Sequence, residues 1–355
     1  MKRYFVPFAQ LRAQPTIVVD SVGNGAALTL AHWRGAATPA QLRDDTSAGS
    51  VLRALHQPGF PGMEARAVTA NHFDVDGFIG VWALLHPELA RQHETLLRLT
   101  AELGDFRELD WQRPLADHAL QLVCWLNAEE KARFYEPFGA PARRQREDQA
   151  SAGKFAWFLP RFAEVLQQPE AFRAVWEPGF RRVKQAQAVM QGNSTITRYP
   201  EIGLVVIHTP APLPYYALFG PTAGYDIVLS IYTNQHYELE YKYTTWIDLE
   251  SRPVLPRLLL QPLAARLNAL EGSGRSWAAD GITDTGPQLR LQGARLSKAQ
   301  RYADPLERPF YPSTLEPAQL EAEVVAFFRA GYASIEPRRS WTWADMKAAG
   351  TNLSR

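Results

Sequence analysis

The feature that most constrains this chain is a strand, an acidic loop and a helix in immediate succession. Ala65-Arg66-Ala67-Val68-Thr69-Ala70 is short, small and partly β-branched. It runs into Asn71-His72-Phe73-Asp74-Val75-Asp76-Gly77, and Phe78-Ile79-Gly80-Val81-Trp82-Ala83-Leu84-Leu85 follows with apolar residues at helical spacing. That order predicts an α/β fold with the loop at the carboxyl end of a strand, where open α/β sheets bind ligands. Alternate residues on an extended segment point the same way, so Asp74 and Asp76 can share one cation with His72 nearby. The alternative is an Asp-rich turn in which Asp76 caps the helix and Gly77 relieves strain.

The rest of the chain agrees with such a fold. At 355 residues it is long enough for two domains. A net charge of +1 gives no bulk electrostatic case for nucleic acid or a membrane surface. The single cysteine, Cys124, lies in the apolar run Leu120–Leu126, which predicts a buried thiol and suits a cytoplasmic protein. The amino terminus lacks the apolar core of a signal peptide, and no segment approaches the length needed to span a bilayer.

Thr16-Ile17-Val18-Val19-Asp20 reads as a β-branched strand ending in an acid, with a turn at Ser21-Val22-Gly23-Asn24-Gly25. Thr38-Pro39-Ala40-Gln41 resembles a helix start. Leu89, Leu96, Leu97, Leu99 and Leu103 predict one apolar helical face, stopped at Gly104-Asp105-Phe106. Helical blocks follow over 115–134 and over 152–190, the latter broken near Pro160, Pro169 and Pro178. The charged run from Pro141 to Asp148 between them reads as a solvated face or loop. From Gly192 the character changes to strands: a hairpin over 194–199 and 204–208, then 225–232 and 237–246. A helix over 258–270 precedes the Gly-rich turn Gly272–Gly281. The expectation is a parallel-sheet α/β domain with many helices over 1–192 and a smaller α+β domain over 193–355.

Carboxylates at the ends of neighbouring parallel strands converge on one sheet edge, and a divalent ion offsets their repulsion. Asp20, His72, Asp74, Asp76 and Asp105 are therefore the candidate metal ligands. Oxygen-rich ligands with an imidazole suit Mn²⁺ or Mg²⁺. Turn or helix-end roles are the alternatives for Asp20 and Asp105. His32 reads either as a hydrogen-bonded, partly buried histidine or as a further ligand, Asp45 as the cap of a helix starting near Ser47, and Asp44 as a residue still able to reach the site. In the second half, Gly274, Arg275 and Ser276 form a candidate phosphate or carboxylate seat, or a surface loop. There is no P-loop, no G-x-G-x-x-G before a helix and no G-x-S-x-G. The aromatics Tyr225, Tyr232, Tyr237, Tyr241, Tyr243 and Trp246 could stack bases, but read better as packed sheet faces.

The hexapeptide His72-Phe73-Asp74-Val75-Asp76-Gly77 before an apolar helix resembles the first motif of the DHH phosphoesterase superfamily. The paired strands, helix and Gly-rich turn at Gly272–Gly281 resemble that family's accessory substrate domain. The resemblance implies that Asp74 and Asp76 bind one or two Mn²⁺ ions that activate water against a phosphoester, with Arg275 near the substrate phosphate. The Asp-His-His triplet itself is absent. The one Asp-His pair is Asp117-His118, in a helical stretch, and Gly-Arg-Ser-Trp replaces a glycine run ending in histidine. As a whole the chain resembles an uncharacterised bacterial family through Val19-Asp20, Ala31-His32-Trp33, Asp45-Thr46-Ser47 and His72-Phe73-Asp74. The leading expectation is a metal-dependent phosphoesterase acting on a small phosphorylated substrate, with Asp76 and His32 catalytic and His32 a second ligand or proton shuttle. The alternatives are a non-catalytic descendant that binds a nucleotide-like ligand or a protein partner, and a hydrolase of non-phosphate substrates.

Overall fold

The computed structural model describes residues 2–23, 25–134, 147–292 and 303–351. Most of the charged run at Pro141–Asp148, and Asn24 in the first turn, lie outside them. The chain forms two compact units, Met1–Arg182 and Val183–Arg355. The division falls inside the helix Arg173–Gly192, whereas the sequence places it at that helix's end.

The first unit is built on a parallel sheet of four short strands: β1 (Tyr4–Phe5), β2 (Thr16–Val19), β3 (Leu28–Leu30) and β4 (Ala67–Thr69), in the order β1-β4-β2-β3. Ile17 pairs with Leu28 on one side and Val68 on the other. All residues of β2, β3 and β4 are buried, as parallel strands covered on both faces require. The chain therefore leaves three adjacent strands at one edge: β2 at Asp20, β3 at Ala31-His32 and β4 at Ala70-Asn71-His72.

Helices α1 (Ser47–Leu55), α2 (Val75–Leu85) and α4 (Glu94–Phe106) pack together beside that edge. Glycines set their approach. A Cβ at Gly80 would lie 2.7 Å from Val19 Cγ1, and one at Gly104 would lie 2.4 Å from Val75 Cβ. Either would push a helix away from the edge. The helical run after Asp76 is divided, with α3 (Pro87–Gln92) beginning at the proline. Gly104-Asp105-Phe106 does not stop α4 as its composition suggests. The helix keeps all three, and Arg107 ends it in the left-handed conformation at φ 59°.

Beyond α4 come α5 (Ala116–Phe134), α6 (Glu147–Phe158), α7 (Phe162–Gln167) and α8 (Arg173–Gly192), and Pro178 lies within α8 without ending it. Phe158, Phe155 and Phe78 surround Phe73, with ring centroids 5.0, 5.2 and 5.4 Å away. Burying that ring contributes about 1.5–3 kcal/mol. It anchors the middle of the acidic loop, so that His72 and Asp74 on either side turn the opposite way. Cys124 is buried, and burial pushes its thiol up to about 12, which makes it inert.

The second unit contains a six-stranded mixed sheet, from β5 (Thr195–Tyr199), β6 (Leu204–Thr209), β7 (Ile227–Tyr232), β8 (His236–Tyr241), β9 (Ser276–Ala279) and β10 (Gln288–Gln292), in the order β5-β6-β7-β8-β10-β9. β6 and β7 run parallel and the other neighbours antiparallel. One face, with Leu229, Leu239 and Leu289 in register, joins an apolar core with α9 (Gln261–Leu270) and the helix Pro317–Tyr332. Tyr237 and Tyr241 belong to that core. The other face carries Ser230, Glu238 and Arg290 in one row. Among the described residues, no helix is long and apolar enough to cross a membrane.

Candidate metal centre

Asp20 occupies the middle of the sheet edge and adopts a left-handed backbone at φ 46°, which turns its carboxylate along the edge. Aspartate tolerates this region better than most residues, yet such a conformation costs on the order of 1–3 kcal/mol. The Asp20 N–H donates to Leu30 O at 3.0 Å, and the Ser47 hydroxyl donates to Asp20 Oδ1 at 2.7 Å. Gly77 permits the approach of α2, since a Cβ there would stand 3.2 Å from Asp20 Oδ2.

On one side of Asp20 lies His32, from the end of β3. Its Nδ1 is 2.7 Å from the Asp45 carbonyl, so the N–H donates there and Nε2 faces inward. Nε2 is 3.4 Å from Asp20 Oδ1, 3.4 Å from Asp105 Oδ2 and 3.7 Å from Asp76 Oδ2. On the other side lies His72, from the end of β4. Its Nε2 is 3.1 Å from Asp20 Oδ2 and 2.9 Å from Asp74 Oδ2, while its Nδ1 is 2.7 Å from Asn71 Oδ1. Two groups result, Asp20–His32–Asp76 and Asp20–His72–Asp74, each with ligating atoms close enough to hold one metal ion. The first group is buried and the second is half-buried apart from Asp20.

Helix ends set the carboxylates. Asp74 is the N-cap of α2, accepting from the Gly77 N–H at 2.8 Å, so the cap is not Asp76. Asp76, in the first turn, accepts from the Ser47 and Ala48 N–H groups at 2.7 and 2.8 Å. Those are the first amides of α1, whose positive end favours an anion. The cap of α1 is Thr46, which accepts from the Gly49 N–H at 2.9 Å, and not Asp45. Asp105 lies in the last turn of α4, the end that disfavours an anion. Its Oδ2 is buried with no hydrogen-bond partner among the described residues.

The electrostatics follow from four carboxylates facing two imidazoles. Burial alone would raise the Asp20 pKa, but hydrogen bonds from His32 and His72 hold it well below the usual carboxylate range. Burial opposes charge on His32 too, yet contact with Asp20 and the charges of Asp76 and Asp105 carry it to about 10. His72 is likewise raised, against burial, by Asp74 and Asp20. Burial pushes Asp76 up to about 7, with Asp20 and Asp74 adding to it against the pull of His32. Burial and the charges of Asp76 and Asp74 raise Asp105. No Lys or Arg among the described residues pairs with these four acids. A divalent cation would supply the missing positive charge, and oxygen donors with single imidazoles are the set such hard ions take. The orphaned Asp105 oxygen fits the same need.

The structure thus brings together Asp20, His32, His72, Asp74, Asp76 and Asp105. Asp44 does not join them. Arg53 and Arg98 hold its carboxylate at 2.6 and 2.9 Å. Gly274, Arg275 and Ser276 belong to the second unit. In that loop the Gly272 N–H donates to Thr314 Oγ1 at 2.7 Å and the Ser273 N–H to Glu271 Oε1 at 3.0 Å, while Arg275 lies over the Tyr311 ring at 4.0 Å. The turn's N–H groups therefore already meet protein oxygens, one of them a carboxylate. Three positions at the centre escape a reading of the sequence: Ser21, Ser47 and Asn71. A serine directly after a strand-end acid, and an asparagine directly before a strand-end histidine, are the available signals.

No curated protein matches the chain. A family model described as "Family of unknown function (DUF6687)" matches residues 1–339 of the chain, which therefore belongs to that family.

Proposed function

We propose that this protein is a divalent-metal-dependent hydrolase of a small phosphorylated substrate, in the manner of the DHH phosphoesterases that its His72–Gly77 segment resembles. The observation that carries the reading is the sharing of Asp20. One carboxylate serves two acid–imidazole groups, with one oxygen turned to each imidazole. Mn²⁺ or Mg²⁺ suits donors that are mostly oxygen. Such ions supply charge neutralisation and an activated water against a phosphoester.

The chain's own residues do the rest. Asp20, His32 and Asp76, with Asp105, would hold one ion, and Asp20, His72 and Asp74 a second. The amides of α1 keep Asp76 oriented. His32, fixed through Nδ1 on the Asp45 carbonyl, would offer its Nε2 lone pair to that ion from among three carboxylates. Gly274, Arg275 and Ser276 carry no role in this reading: Arg275 lies over the Tyr311 ring, and the neighbouring Gly272 and Ser273 N–H groups meet Thr314 and Glu271. One observation favours a non-catalytic descendant of the fold. Both Asp76 oxygens already serve as a clamp on α1.

Metal removal and return separate the two readings. After EDTA treatment, Mn²⁺ should raise the melting temperature, by about 2.7 kcal/mol of stability at a hundredfold excess over Kd. The same ion should switch on hydrolysis of a phosphodiester such as bis-p-nitrophenyl phosphate. Asp20→Asn should lose both responses while remaining folded. Metal-stimulated hydrolysis surviving in Asp20→Asn would sink the assignment, and a Mn²⁺ shift without hydrolysis would favour the non-catalytic reading.

A further inference from the structure

The two imidazoles of the centre are supported differently. His32 Nδ1 meets a backbone carbonyl, whereas His72 Nδ1 meets a side chain, Asn71 Oδ1, at 2.7 Å. Asn71 is itself pinned. The Ser21 hydroxyl donates to the same Oδ1 at 2.9 Å, and the Asn71 N–H donates back to Ser21 Oγ at 2.8 Å. Ser21 is fully buried and directly follows Asp20, while Asn71 directly precedes His72. The reciprocal pair is therefore a clip between the ends of β2 and β4, joining the two loops that carry the shared carboxylate and the outer imidazole.

The chemistry of that clip has a consequence. An oxygen accepting the Nδ1–H leaves Nε2 as the lone-pair nitrogen, and His72 Nε2 is the atom that faces Asp20 and Asp74. A neutral amide oxygen fixes this tautomer without donating as much basicity to the ring as a carboxylate would. We infer that Asn71, held by Ser21, is the positioning residue that sets the His72 tautomer and makes the outer half of the centre a metal seat of exchangeable affinity. This rests on the metal-centre reading above and adds to it a division of labour. The inner seat, buried throughout, retains its ion, and the outer seat, half-buried apart from Asp20 and resting on the Asn71 clip, exchanges its own.

Titration of the EDTA-treated protein with Mn²⁺ alone, followed by electron paramagnetic resonance of the free ion, tests this directly. Wild type should show two classes of site. Asn71→Leu should weaken one class by about 10–100-fold and leave the other unchanged, because the leucine leaves the Nδ1–H without an acceptor. Ser21→Ala should weaken the same class less. Asn71→Asp should restore or tighten it, which loss of packing alone would not produce. Circular dichroism melts establish that each variant is folded, and Ser21→Ala carries the test should the leucine not be tolerated. Equal weakening of both classes, or none in either, overturns the role of Asn71 while leaving the metal centre intact. Wild type without any Mn²⁺ binding overturns the metal centre itself, and the inference with it.

Discussion

Each unit of the molecule buries a cluster of charges on a sheet, and the two clusters differ in balance. In the second unit, Glu238 and Glu240 on β8 face Arg290 and Arg308. Arg308 bonds Glu238 directly and lies 3.2 Å from Glu240, and Arg290 lies 3.7 Å from Glu238. Gln288 and Tyr215 add hydrogen bonds to Glu240 at 2.8 and 3.1 Å. In the first unit, four acids meet two imidazoles and no guanidinium. The second cluster is balanced in charge, two guanidiniums to two carboxylates, and needs no cation for neutrality. The acid-rich cluster is not, and its surplus is concentrated where three strands end. Burial of charge alone is thus a poor sign of function, whereas uncompensated burial at a sheet edge is a good one.

The comparison can be broken by removing one charge from each side. Arg308→Met leaves two buried carboxylates short of a partner and should cost about 3–5 kcal/mol, lowering the melting temperature by roughly 10 °C. Mn²⁺ binding should be unchanged. A variant as stable as wild type would show that the second cluster is not a structural ion-pair network.

The effect of pH should be next in size, and only its part in the acid-rich cluster should respond to the ion, because burial and Glu240 also push Glu238 of the second cluster up to about 8. The raised Asp76 pKa favours the fold fully below its unfolded value of 3.8, and that contribution is lost as pH climbs through about 7. The raised His32 pKa acts likewise from 6.5, with its contribution lost towards about 10. EDTA-treated protein should therefore lose several degrees of melting temperature between pH 5 and 9. Saturating Mn²⁺ should flatten that fall, because the cation replaces protons and binds better as pH rises. Equal slopes with and without the ion would contradict a cation seat among these groups.

The smallest effect has the opposite sign to the first. Asp105→Asn removes part of the surplus, so EDTA-treated protein should melt about 2–4 °C higher, for about 1 kcal/mol gained. Its gain from Mn²⁺ should shrink. Calorimetry showing destabilisation instead would mean that Asp105 is held as a partner of His32 and not as surplus charge.

Much of this geometry is legible before any coordinates. Asp20 and His72 follow β-branched or small strands, and the end of a buried parallel strand is a place that local pattern identifies. Other features depend on helix ends that pattern does not resolve. Asp74 caps α2 and leaves Asp76 to clamp α1, although either aspartate has the composition of a cap. Asp105 remains helical despite Gly104, because that glycine serves the close approach of Val75 and not a turn. Ser21, Ser47 and Asn71 act through partners 27 to 50 residues away, a separation at which no spacing rule operates. The loop at Gly272 has the composition of an anion seat, but Thr314 and Glu271 take up the Gly272 and Ser273 N–H groups, and neither bond is visible in a motif.

The backbone of Asp20 carries a last consequence. Its left-handed conformation is the kind of position where glycine relieves strain, so the backbone alone would favour glycine there, while the bonds to Ser47, His32 and His72 favour the carboxylate. Asp20→Gly therefore relieves the backbone while stripping Ser47 and both imidazoles of their shared carboxylate. Asp105→Asn is instead the substitution for which thermal stability and cation binding should move in opposite directions. A library screened for heat resistance in the presence of EDTA would drift towards losing the centre, so engineering of this protein has to select with the ion present.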